Sequence, residues 1–153
     1  MSLSEAERAF AEAHRVARLA TADGGGAPHV VPICYALAGD AFYFVVDEKP
    51  KATRRGLKRL RNLAENGRAA LVIDDYDDDW RQLAYLLVQG AAAVVADGTE
   101  YTRVLDLLRR RYRQYVAMPL VIGHNPMVRI AAERVHFWRM PGEGTGVTRR
   151  GSR

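Results

Sequence analysis

Apolar residues recur along this chain at two different periods. Near the N-terminus Leu3, Ala6, Phe10 and Ala13 fall at helical spacing and predict an amphipathic first helix. The segment from Arg15 to Thr21 then alternates in the manner of a strand, and Ala22-Asp-Gly-Gly-Gly-Ala-Pro28 predicts a turn. A second β-rich run, His29 to Leu37, contains Pro32, which removes a ladder donor and so points to an edge, a bulge or a backbone that meets a ligand. Gly39-Asp40 turns the chain into a third strand, Ala41 to Val46.

The period changes after that. From Lys49 to Arg61 stand seven basic residues, Lys49, Lys51, Arg54, Arg55, Lys58, Arg59 and Arg61, with no acid before Glu65. Leu57, Leu60 and Ala64 share one helical face, so the segment reads as a basic helix with an apolar seam, ended by Asn66-Gly67. Ala69 to Ile73 is a fourth strand, Asp74 to Trp80 an acidic connector, and Leu83 to Val95 a long fifth strand in which Gly90 marks a bulge or a bend. Thr99 is placed to cap a helix that runs to Tyr115, with Val104, Leu107, Leu108 and Tyr112 near period 3.6. After a loop from Met118 to Asn125, Met127 to Arg139 closes the pattern with one or two strands.

These elements lack both a repeat and a β–α alternation. They predict a mainly β fold with peripheral helices, a six-stranded antiparallel barrel over residues 1–140, with 141–153 as a loose tail. The length, 153 residues, fits one domain, and 48% hydrophobic with 27% charged residues is ordinary globular composition. No run reaches the roughly 18 apolar residues of a membrane span, and the first residues lack a basic then apolar leader, so the expected location is the cytoplasm.

The formal charge of +5 changes the picture, because it suggests an anionic partner. A solvated helix ordinarily mixes signs to gain i,i+4 pairs, whereas the basic segment at 49–61 carries no acid over three turns. Such crowding calls for a compensating anion, and a helix that follows a strand also offers backbone N–H groups to a phosphate. Nucleic acid would want aromatics interleaved with the basic residues; the stretch has none, so nucleic-acid binding is not expected.

The remaining residue types exclude more than they assign. Cys34 is the single cysteine, which rules out an internal disulfide and reads as a small buried residue. His14, His29, His124 and His136 lack catalytic or metal-ligand spacing, and the acidic connector lacks the glycine and distant glutamate of a calcium loop. Trp80 beside that connector is either a core residue or the cover of a ring-shaped ligand. A barrel with a phosphate-seeking helix and no nucleophile suits a cofactor that carries the chemistry itself.

Three segments together, Arg18 to Ile33, Phe42 to Lys51 and Leu60 to Leu71, resemble the pyridoxamine 5′-phosphate oxidase-like flavin and deazaflavin superfamily. Lys49-Pro-Lys51, Leu57-Lys-Arg-Leu-Arg-Asn-Leu63 and Asp75-Tyr-Asp-Asp-Asp-Trp80 are most similar to its F420-dependent subgroup. The resemblance implies a split β-barrel homodimer that takes coenzyme F420, or alternatively FMN, at the subunit interface with a small-molecule substrate. By position Arg59 matches the phosphate-binding lysine, with Lys58 beside it and Lys51 and Arg55 one or two turns earlier. The ring system would lie on the backbone of Val31, Pro32 and Ile33, with Thr21 reaching it from the first strand. Trp80 and Tyr85 would cover it from the partner, and Tyr85 is the one guess at a proton donor. Where the subgroup carries Leu-Trp-Trp-Val-Arg, this chain reads Leu83-Ala84-Tyr85-Leu86-Leu87, a departure at two positions that line the site. The implied activity is hydride transfer to a small unsaturated or oxidised substrate. The other readings are an FMN-dependent oxidase of the same fold, and a flavin-, deazaflavin- or haem-binding protein without turnover.

Overall fold

The computed structural model describes residues 1–47, 57–141 and the strand at 148–151. A first helix, α1 (Glu5–Ala13), starts in a capping box in which Ser4 Oγ accepts from Glu7 N–H and the Glu7 carboxylate accepts from Ser4 N–H at 2.7 Å. Its buried face is Leu3, Glu7, Phe10 and Ala11, while Ala6 and Ala13 are exposed. Of the face that the apolar spacing predicts, Leu3 and Phe10 are buried, and Glu7 and Ala11 take the places of Ala6 and Ala13.

The strands are β1 (Ala17–Ala22), β2 (Pro28–Ile33), β3 (Ala36–Ala38), β4 (Ala41–Val45), β5 (Arg68–Asp75), β6 (Ala84–Val94), β7 (Met127–Arg139) and β8 (Thr148–Gly151). They form one antiparallel sheet in the order β2-β1-β5-β6-β7-β4-β3, and β8 continues along β7 beyond the reach of β4. The strand count therefore exceeds the six expected from the sequence. The run from His29 to Leu37 breaks into β2 and β3 because Tyr35 N–H donates to the Tyr112 hydroxyl at 3.0 Å rather than to a neighbouring strand. Consecutive in the chain, β2 and β3 end up at opposite edges of the sheet, and this is the split in the barrel.

Inward-facing Leu19, Phe42, Phe44, Leu71, Ile73, Leu86, Val88, Val128 and Ile130 fill the barrel and are all but inaccessible. Burial of each such side chain contributes roughly 1.5–3 kcal/mol. A second cluster on the other side of β3 and β4 packs Tyr43, Val45 and Met127 against α3 (Gly98–Arg111). Asp97, not Thr99, caps α3, its carboxylate accepting from Glu100 N–H at 2.9 Å; the helix stops at Arg111, short of Tyr115. The pairing of β6 with β7 slips between Gln89 and Gly90, which confirms the bulge expected there. A Cβ on Gly90 would stand 1.7 Å from the Ala131 carbonyl oxygen, so only glycine fits.

Candidate functional site

The helix α2 (Lys58–Glu65) covers one mouth of the barrel, held by Leu57, Leu60 and Leu63 against the core. Three polar contacts fasten it to the β1–β2 hairpin. Asn62 Nδ2 donates to Thr21 Oγ1 at 3.0 Å, Gly24 N–H donates to the Glu65 carboxylate at 2.8 Å, and the Lys58 ammonium lies 3.7 Å from Asp23. Asp23 in turn accepts from the N–H groups of Gly25 and Ala27, which holds its carboxyl below the ordinary carboxylate range.

The same corner holds the buried polar atoms that find no partner. Among the described residues these are His29 Nδ1, Arg59 Nε and Asn62 Oδ1. Arg59 and Asn62 are one turn apart on α2, Asn62 bonds Thr21, and Thr21 pairs with His29 across the β1–β2 ladder. The Arg59 guanidinium also lies over the Phe44 ring at 5.9 Å. An unpaired buried donor or acceptor costs roughly 1–3 kcal/mol, so three gathered in one corner are unusual and call for an explanation.

From that corner β2 runs along the free edge of the sheet, which is where Pro32 costs no ladder bond. The side chains of Val31 and Ile33 turn inward, while Pro32 and Val30 (61% exposed) face outward. Thr21 is buried beneath α2. Lys51 and Arg55 lie outside the described residues. Trp80 is 63% exposed, so it is not a core residue, and Tyr76 beside it is 72% exposed. Tyr85 sits on the outer face of the sheet, stacked on Trp138 at 5.8 Å and next to His136. Ladder pairing puts Tyr85 five positions along β6 from the level of Thr21, about 17 Å by strand rise, so one chain does not bring the two together.

At the other end of β2 lies a corner the sequence did not disclose. Arg111 donates to the carbonyls of Tyr35 at 2.9 Å, Glu12 at 2.8 Å and His14, with its guanidinium over the Tyr35 and Tyr112 rings. Arg109 donates to the carbonyls of Tyr115 and Met118. Beside them opens a cleft of about 750 Å³ lined by Arg15, Cys34, Asp47, Arg110, Arg113 and Tyr115, among others. Burial pushes the Cys34 thiol and the Tyr115 hydroxyl above their ordinary values, so neither is an activated nucleophile. The run Arg109-Arg-Arg-Tyr-Arg113 was the available signal; that Arg111 would turn onto the carbonyls of Glu12, His14 and Tyr35 was not visible in it.

Residues 3–139 match the family model described as pyridoxamine 5′-phosphate oxidase. The chain belongs to that family. Known structures agree on the fold of this pyridoxamine 5′-phosphate oxidase family member. The haem storage protein HutZ from Vibrio cholerae is 16% identical, with a TM-score of 0.68 over 88% of this chain and 94% of its own. A haem-binding protein from Mycobacterium smegmatis is 21% identical at 0.73 over 97% of this chain, which spans 59% of that longer protein. An FAD-binding protein from Mesorhizobium loti is 22% identical at 0.64 over 88% and 94%. A search of the curated proteins finds no match. Proteins that share this fold are thus described as binding ligands as different as haem and FAD, so the fold alone does not name a ligand. Among the described residues no cluster of side chains has metal-ligating geometry, and no helix is long and apolar enough to cross a membrane.

Proposed function

We propose that this chain is an F420-dependent oxidoreductase that works as a homodimer and transfers hydride between the deazaflavin and a small unsaturated or oxidised substrate. The observation that carries the reading is the trio of unpartnered buried atoms, His29 Nδ1, Arg59 Nε and Asn62 Oδ1, gathered where α2 meets the start of an open edge strand. Arg59 and Lys58 supply charge for a phosphate, and His29 and Asn62 supply hydrogen bonds to its ribityl side. Val30 and Pro32 on the edge strand β2 would give a flat ring an apolar bed. When bound, the cofactor provides the hydride chemistry, and the protein orients the ring, holds the phosphate and excludes water.

A homodimer accounts for the exposed apolar groups. Val30, Tyr76, Trp80 and Val94 are each more than half exposed on one chain, and a second copy would cover them. It would also carry the Trp80 and Tyr85 of one chain to the β2 edge of the other. Membership of the pyridoxamine 5′-phosphate oxidase family and the FAD-binding neighbour favour FMN as the alternative cofactor.

Fluorescence titration of the purified protein with F420, and separately with FMN, tests the reading. Tight F420 binding with weak FMN binding is expected, together with a dimer by sedimentation. Preferential FMN binding would move the function to a flavin enzyme, and haem uptake alone would make it a binding protein. Binding of none of the three sinks the cofactor assignment.

A further inference from the structure

The cleft at the end of α3 is not absorbed by cofactor binding. Arg15, Arg110, Arg111 and Arg113 all line it, and among the described residues Asp47 is the one carboxylate there. Arg111 is committed to backbone carbonyls and Arg15 donates to the Arg111 carbonyl. Among the described residues the side chains of Arg110 and Arg113 make no ion pair and no hydrogen bond, and both residues are exposed and line the cleft. A helix C-terminus favours cations in its last turn, which accounts for Arg110. It does not account for Arg113, which lies beyond the helix end, or for Arg15, which arrives from the start of β1. Crowded like charges on three elements need an anion, and a guanidinium pair offers forked donors to carboxylate or phosphate.

The position of the cleft says whose anion it is. Cys34, in its wall, directly follows Ile33 at the end of β2. From His29 in the α2 corner to Cys34 the strand advances five residues, about 17 Å. A cofactor whose phosphate occupies the α2 corner and whose ring follows β2 therefore presents that ring to the mouth of the arginine cleft. Val16 and Met118 add apolar wall for the body of a small ligand.

We infer that the cleft binds the anionic group of the substrate, so that the substrate class is a small unsaturated or oxidised acid, a carboxylate or a phosphate ester, and not a neutral compound. The choice of substrate rests on the cofactor reading above; the anion site itself does not.

The test uses trans-cinnamate and its neutral amide, titrated into the full chain without cofactor and followed by amide NMR. Cinnamate should shift the signals of Cys34 and Tyr115, with the amide binding at least about tenfold more weakly. The double variant Arg110→Ala/Arg113→Ala should lose about tenfold or more in cinnamate affinity while its F420 affinity stays within about threefold. Should that variant fail to fold, Arg110→Lys/Arg113→Lys keeps the charge and loses the fork, and a smaller loss is expected from it. Equal binding of acid and amide, unchanged affinity in the variants, or cinnamate shifts confined to α2 would overturn the inference. Cinnamate binding here with no binding of F420 or FMN would leave the anion cleft standing and remove the cofactor reading.

Discussion

Arg111, beside the end of β2, donates to the carbonyls of Glu12, His14 and Tyr35, whereas Arg59, beside its start, keeps a buried Nε without a partner. The two arginines stand at opposite corners of one barrel and differ in what surrounds them. At the α3 corner the chain turns irregularly, from α1 into β1 and from β2 into β3, and leaves carbonyls that no strand pairs. A five-donor fork satisfies several at once. At the α2 corner short side-chain and backbone bonds satisfy the hairpin and the helix, and Arg59 Nε, Asn62 Oδ1 and His29 Nδ1 are left over. A polar network closed on itself stabilises a fold; one left open marks where something binds.

β6 and β7 lie in the middle of the sheet whose two sides carry the corners, so breaking that frame should give the largest effect. Gly90→Val drives a side chain into the Ala131 carbonyl and should cost at least about 4 kcal/mol, seen as loss of soluble protein or of the cooperative urea transition. Arg111→Ala should be next, destabilising by about 3 kcal/mol in urea because it strands several carbonyls, with F420 affinity unchanged. Arg59→Glu inverts that pattern. It should lower F420 affinity about 100-fold, near 2.7 kcal/mol, while stability moves by less than about 1 kcal/mol. If both variants lost stability and affinity together, the contrast between the corners would collapse.

The smallest effect lies away from both. Glu100 accepts from Arg129 and from the Tyr43 hydroxyl, and the Arg129 bond holds its carboxyl below the ordinary carboxylate value. A folded-state pKa lowered in this way contributes stability above the unfolded value, near 4.3, and loses it as pH falls through the folded value. Glu100→Gln should therefore cost less than about 1 kcal/mol near pH 7, and less still as the pH falls below the unfolded value, read from urea midpoints across that range.

Much of the frame was legible because its signals are local. The alternation in β1, the apolar runs of β4, β5, β6 and β7, the turn at Asp23–Ala27 and the bulge at Gly90 are written in residues a few positions apart. The expected edge at Pro32 was found for the same reason, since a missing donor restricts a strand wherever it lies. The break of His29–Leu37 into β2 and β3 was not legible, because its cause is a hydroxyl 77 residues away on Tyr112. The helix caps show the same limit at short range: Asp97 and Thr99 are both competent residue types, and the backbone path selected Asp97.

The sequence by itself determined where most strands run, that a helix with basic residues lies around 58–65, and that the chain resembles flavin and deazaflavin proteins. Periodicity, turn chemistry and charge density need no partner to act. Tertiary structure alone decided which arginines are spent on the fold and which remain for a ligand, because a side chain's partner is set by what the topology brings beside it. Arg109 and Arg111 look like Arg110 and Arg113 in the sequence, and only the carbonyls around them tell them apart.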